Sequence, residues 1–114
     1  MSNLDRLMGL EGASAAFEFS DTGELKDHRV AEGSNLTPET LDLLAHVFVA
    51  NIAIATMQAR GWEKTTGQGG FYPITGFTLV GFEWSTVGNG HRGVVLRNDV
   101  ADFEAAYAEL DSAE

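Results

Sequence analysis

Asp21-Thr22-Gly23, inside the stretch Phe17 to Leu25, is the triplet on which aspartic proteases carry their carboxylate. The smallest such proteases are dimers of chains about as long as this one. Their chemistry needs the Asp after an apolar strand, buried against its twin so that two carboxylates share one proton. Here Glu18, Ser20, Glu24, Lys26 and Asp27 surround the triplet and would keep the carboxylate hydrated. A nearly all-β protease also has no place for the long helical pattern in the middle of this chain. The triplet therefore reads as a hairpin bend, with Asp21 bonding a nearby backbone N–H and Gly23 accepting positive φ.

Gly88-Asn89-Gly90-His91-Arg92-Gly93 fits the dinucleotide fingerprint G-x-G-x-x-G. That motif holds a pyrophosphate only when a helix follows it, at whose N-terminus the anion rests. The next residues, Val94-Val95-Leu96, are a strand pattern, so a glycine-rich hairpin is the better reading. Gly67-Gln68-Gly69-Gly70 lacks the Lys-Ser/Thr of a phosphate-binding loop and reads as a flexible connection. His28, His46 and His91 are too far apart to form a ligand pair at helical or strand spacing. There is no cysteine, which removes disulfides, thiolate metal sites and thiol nucleophiles. No Ser-His-Asp set can be proposed from spacing. Trp62, Phe71, Tyr72 and Trp84 offer material for an aromatic pocket, though core or interface packing is the commoner fate of such residues. A non-catalytic chain without metal or cofactor is the expectation.

Seven Lys and Arg against 17 Asp and Glu give a formal net charge of −10. Such a chain repels phosphate backbones and anionic lipid surfaces, so nucleic acid and membranes are poor partners. The first residues lack a basic segment followed by an apolar one, and the most apolar run, Leu43 to Ala55, is broken by His46 and Asn51. That run is shorter than the ~20 residues of a membrane span. A cytoplasmic location is expected. At 114 residues, one domain over 1–114 suffices, large enough to bury a core unaided.

The elements follow from periodicity. Ser2 is placed to cap a short helix with Leu4, Leu7 and Met8 on one side. Ala13 to Phe19 and Leu25 to Ala31 alternate as strands around the bend. Thr37-Pro38-Glu39 is a helix start, and the helical pattern runs to Arg60 with Gly61 as its expected stop. Strand patterns cover Phe71 to Val80, Phe82 to Val87 and Gly93 to Arg97. Asn98 or Asp99 is expected to cap a last helix lined by Val100, Phe103, Ala106, Tyr107 and Leu110. The order is α-β-β-α-β-β-β-α.

The long helix is apolar on two faces. Leu41, Leu44, Ala45, Phe48, Ile52 and Ala55 share one, and Leu43, Val47, Ala50, Ile54 and Met57 the other. A helix apolar on both sides needs cover on both. Its own sheet can cover only one, and a second chain is the natural cover for the other. The pattern leaves open which face meets the sheet; the Leu43 face is taken for the seam.

This order and length, with Leu4, Leu7 and Met8 opening, Gly12 to Phe19 entering the hairpin at Asp21-Thr22-Gly23, and the long apolar helix, resembles the roadblock/dynein light-chain family. The stretch from Phe71 to Thr78, then Gly93-Val94-Val95-Leu96 and Ala101-Asp102-Phe103, is similar to a small bacterial branch of it. The resemblance implies an α+β fold: a five-stranded antiparallel sheet with the long helix on one face and both short helices on the other. It implies a homodimer that pairs third strands and long helices; Phe71 and Tyr72 are expected to join Leu43, Val47, Ala50, Ile54 and Met57 at the seam. It further implies a non-catalytic adaptor or scaffold for protein partners, among them Ras-like small GTPases. The alternative is a PAS- or profilin-like small-molecule sensor; a PAS domain would break the middle segment into several short helices around a pocket.

Overall fold

The computed structural model describes Asn3 to Ser112 apart from Phe71 and Pro73. Its elements are α1 (Asn3–Met8), β1 (Ala13–Phe19), β2 (Leu25–Val30), α2 (Pro38–Thr66), β3 (Gly76–Val80), β4 (Trp84–Asn89), β5 (Arg92–Arg97) and α3 (Phe103–Ser112), in the expected order. The strands form one antiparallel sheet in the order β2-β1-β5-β4-β3. Side chains alternate across it, so each face receives its own core. Toward α2 point Ala15, Phe17 and Phe19 of β1 and Val95 of β5, packed on Leu41, Ala45 and Phe48. Toward α1 and α3 point Ala16, Val87, Val94 and Leu96, packed on Leu4, Leu7, Ala106 and Leu110. Covered on both faces, β5 buries the continuous run Gly93-Val94-Val95-Leu96. The fold is α+β with the long helix on one side and the two short ones on the other.

Thr37 caps α2, its hydroxyl accepting the Thr40 N–H at 3.2 Å, with Pro38 in the first turn. The helix does not stop at Gly61. Glycine inside a helix costs only about 1 kcal/mol, and the end comes at Gly67, whose φ of +74° lets its N–H reach the Glu63 carbonyl at 2.8 Å. The next segment folds back on the last turns. The Tyr72 N–H donates to the Glu63 carboxylate at 3.0 Å, and the Arg60 guanidinium lies over the Tyr72 ring. At 29 residues α2 is about 43 Å long, close to the molecule's longest extent of 48 Å. By length and composition it is apolar enough to cross a membrane. Its buried residues, Leu41, Ala45 and Phe48, all lie in its first half, where it packs on the sheet.

Other boundaries also differ from expectation, among them β4, which runs Trp84–Asn89 in place of Phe82 to Val87. β3 begins at Gly76 because its ladder with β4 starts at the Gly76–Asn89 pair; Thr75 contributes only a carbonyl, to the Gly90 N–H. The last helix begins at Phe103, capped by Asp102, whose carboxylate accepts the Ala105 N–H at 3.1 Å. Asn98 is engaged elsewhere, bonding Ser85 Oγ, the Gly81 carbonyl and the Glu83 carbonyl. The expected cap at Ser2 lies outside the described residues.

On the α2 side of the sheet, Thr86 is fully buried and its hydroxyl has no hydrogen-bond partner among the described residues. A buried unpaired hydroxyl costs about 1–3 kcal/mol. Thr86→Val is therefore expected to raise the unfolding free energy by about 1 kcal/mol, read from urea titration.

Candidate interaction surface

The three residue groups singled out for chemistry meet in part. The bend Ser20 to Glu24 is a hairpin connection, with the Gly23 N–H on the Ser20 carbonyl and Gly23 at φ +93°. The side-chain acceptor that closes it is Ser20 Oγ, which takes the Glu24 N–H at 3.1 Å. Asp21, expected to do this, instead reaches His91 Nε2 at 2.5 Å, with its own side chain 90% exposed. In the single chain the carboxylate is hydrated, not buried. His91 belongs to the two-residue β4–β5 turn, where Gly90 takes φ +66°; the glycine-rich hexapeptide is a hairpin, as expected. His46 is exposed on α2, its Nδ1 against the Asp42 carbonyl oxygen at 2.7 Å. Among the described residues no three His, Asp or Glu side chains converge as a metal site.

The Asp21–His91 pair rims a cleft of about 210 Å³ between α2 and the β4–β5 turn, floored by Phe19, Phe48 and Ile52. An exposed side-chain pair of this kind contributes about 0–1 kcal/mol. Asp21→Asn is accordingly expected to shift stability by less than about 1 kcal/mol, and the pure protein to show no pepstatin-sensitive proteolysis before or after the change.

Two glycines shape the floor. Gly88 and Gly93 face each other across β4 and β5 on the α2 side. A side-chain carbon on Gly88 would enter the Phe48 ring, and one on Gly93 would come within 2.5 Å of Phe17. Their absent side chains let Phe17, Phe19, Phe48 and Phe77 pack as one aromatic layer.

The larger feature is apolar surface. On the outer face of α2, Leu43 is 65%, Ile54 55% and Met57 71% exposed; Ala50 is exposed and Val47 half-buried. Tyr72 is exposed beside the end of α2, and Phe71 lies outside the described residues. Trp62 and Trp84, considered for an aromatic pocket, are half-exposed at separate places, Trp62 on the last turns of α2. Trp84 lines an open groove with Leu44 of α2, Leu79 and Val80 of β3, and Phe82. The groove joins the helix to the edge of the sheet.

The two sheet edges differ. β2 reads Leu-Lys-Asp-His-Arg-Val, and Arg29 bonds Asp27 at 3.0 Å and Asp5 at 3.1 Å. Those bonds, to Asp27 first and then Asp5, raise the guanidinium above its usual pKa. Charges of this kind deter another strand from pairing. β3 reads Gly-Phe-Thr-Leu-Val and carries no charge. It is an unguarded edge beside an unguarded helix face.

A family model described as an uncharacterized conserved protein, DUF2173, matches residues 3–112. The chain belongs to this family. Solved structures resemble the DUF2173 chain along nearly its whole length. The gliding protein MglB from Thermus thermophilus is 20% identical, with 97% of this chain and 79% of that one covered at a TM-score of 0.70. An MglB described as having a tetrameric arrangement is 18% identical, with 98% and 88% covered at 0.67. A Roadblock/LC7 domain from Streptomyces avermitilis is 16% identical, with 97% and 88% covered at 0.64. No curated protein matches the sequence. At these identities the likeness shows the fold, and the fold of this DUF2173 chain is the roadblock fold.

Proposed function

We propose that the chain is a non-catalytic, self-associating platform for protein partners in the cytoplasm, serving a Ras-like small GTPase or a multi-subunit complex. The observation that carries this reading is the exposed apolar surface on the outer face of α2, in the Trp84 groove and along the uncharged edge of β3. Exposed apolar surface on this scale marks an association site. An identical second copy suits it, because a two-fold axis lets β3 pair antiparallel with its own twin and brings the two α2 helices side by side. The seam would then hold Leu43, Val47, Ala50, Ile54 and Met57, with Phe71 and Tyr72 at its margin. The tetrameric arrangement described for one MglB supports self-association as a habit of the fold.

The GTPase partner rests on the resemblance to roadblock proteins. A net charge of −10 favours a partner with a basic face and an association rate that falls with added salt. The test is binding of the Ras-like GTPases of the source organism, loaded with GDP or a GTP analogue, to the wild-type chain. Saturable, salt-sensitive binding is expected. Failure of every such GTPase, together with a stoichiometric small molecule released on denaturation, would favour a sensor. The unbroken α2 already differs from the several short helices that a PAS domain would have.

A further inference from the structure

Phe82 is the most exposed large apolar residue described in this chain, its ring wholly in solvent. It is not on a loose segment. It occupies the loop between β3 and β4, closed by the Gly81 N–H on the Trp84 carbonyl at 3.0 Å. Asn98 clamps that loop from outside. Its backbone N–H donates to the Glu83 carbonyl at 2.9 Å, and its amide donates to the Gly81 carbonyl at 2.8 Å. Ser85 Oγ in turn donates to the amide oxygen of Asn98 at 2.6 Å. The backbone that carries this bare aromatic ring is already pinned, so binding does not have to order the loop, a property of an interface anchor.

A receptor of matching size lies at the opposite end of β3. The cleft beneath the Asp21–His91 pair has a volume of about 210 Å³ and an apolar floor of Phe19, Phe48 and Ile52. A dry apolar cavity of about 150 Å³ accommodates a benzene ring. Thr75, which immediately precedes β3, lines this cleft. An antiparallel pair of β3 strands centred on Thr78, the middle residue of Gly76–Val80, sets position 82 of one copy level with position 74 of the other. In that register the knob of each copy would arrive beside the hole of its partner, and the two-fold axis would make the exchange mutual.

We infer that Phe82 of one copy anchors the dimer by entering the cleft over Phe19, Phe48 and Ile52 of a second copy. This rests on the self-association proposed above and adds the residue that fixes its register. The cleft is then a site completed by the second copy.

The native chain has no cysteine, so single cysteines report contacts without background. A Phe82→Cys chain mixed with an Ile52→Cys chain and oxidised is expected to yield a disulfide between positions 82 and 52, identified by peptide mass. Phe82→Ala is expected to weaken dimerisation on the order of tenfold or more while leaving the far-ultraviolet spectrum of the monomer unchanged, because the ring is wholly exposed in the monomer. Asn98→Ala, which frees the loop, should weaken it in the same direction. A stable dimer that gives no 82–52 disulfide and is indifferent to Phe82→Ala would overturn this inference alone, as would a small molecule found in the cleft at one per chain. A wild-type chain that stays monomeric would overturn it together with the platform reading.

Discussion

Replacing Ile54 with glutamate is expected to release monomers of 12.3 kDa without unfolding the chain. Ile54 lies in the second half of α2, past the last residue of that helix buried in the core, and it is 55% exposed. Neither core cluster includes it. Glutamate is a better helix former than isoleucine, so the helix itself loses nothing. In the dimer the same change places a carboxylate from each copy in an apolar seam. Burying an unpaired charge costs several kcal/mol. A weakening of self-association by roughly a thousandfold, equivalent to about 4 kcal/mol, is the expected scale. Analytical ultracentrifugation reads the mass and circular dichroism the fold. Val47 is a poorer probe, since it is half-buried and a charge there would disturb its own subunit as well.

The largest effect on folding is expected at Phe48. Its ring is 2% exposed and meets Phe77 at a centroid distance of 4.5 Å, Phe17 at 6.1 Å and Phe19 at 6.3 Å. Truncation of a buried phenylalanine to alanine costs about 3–5 kcal/mol, a large share of a small domain's stability. Gly88 lies directly under that ring, so Gly88→Ala overpacks the layer and is expected to cost about 1–3 kcal/mol. The two changes share one space and should not add. Once the Phe48 ring is gone, the methyl group at position 88 fills part of the void, and Gly88→Ala becomes neutral or stabilising in the Phe48→Ala background. Urea denaturation of the four chains in the cycle measures this coupling. Equal cost of Gly88→Ala in both backgrounds would contradict the packing described.

The order of elements is legible in the sequence because the apolar period changes from two to 3.6 and back along the chain. The existence of two apolar faces on α2 is legible for the same reason. Which of them meets the sheet is not, since both are hydrophobic in isolation. That choice is made by shape: Phe48 has a glycine-lined recess beneath it. The recess itself is within reach of the sequence, because a two-residue turn at Gly90-His91 necessarily sets Gly88 opposite Gly93. The motif match draws attention to phosphate binding and away from that pairing. Gly61 reads as a stop because a glycine within a helix and one beyond it look alike in sequence; only the left-handed geometry at Gly67 distinguishes them. Asn98 resembles a helix cap because capping and loop-clamping use the same side chain. The Asp21–His91 pair joins residues on two separate hairpins, and nothing local to either announces the other.

Whether α2 and the edge of β3 form a self-association surface is tested most directly by light scattering of the wild-type chain over a range of micromolar concentrations. The expected mass is twice 12.3 kDa or a higher even multiple, falling to one chain for Ile54→Glu. A constant mass of 12.3 kDa for the wild type at every concentration would contradict the self-association surface.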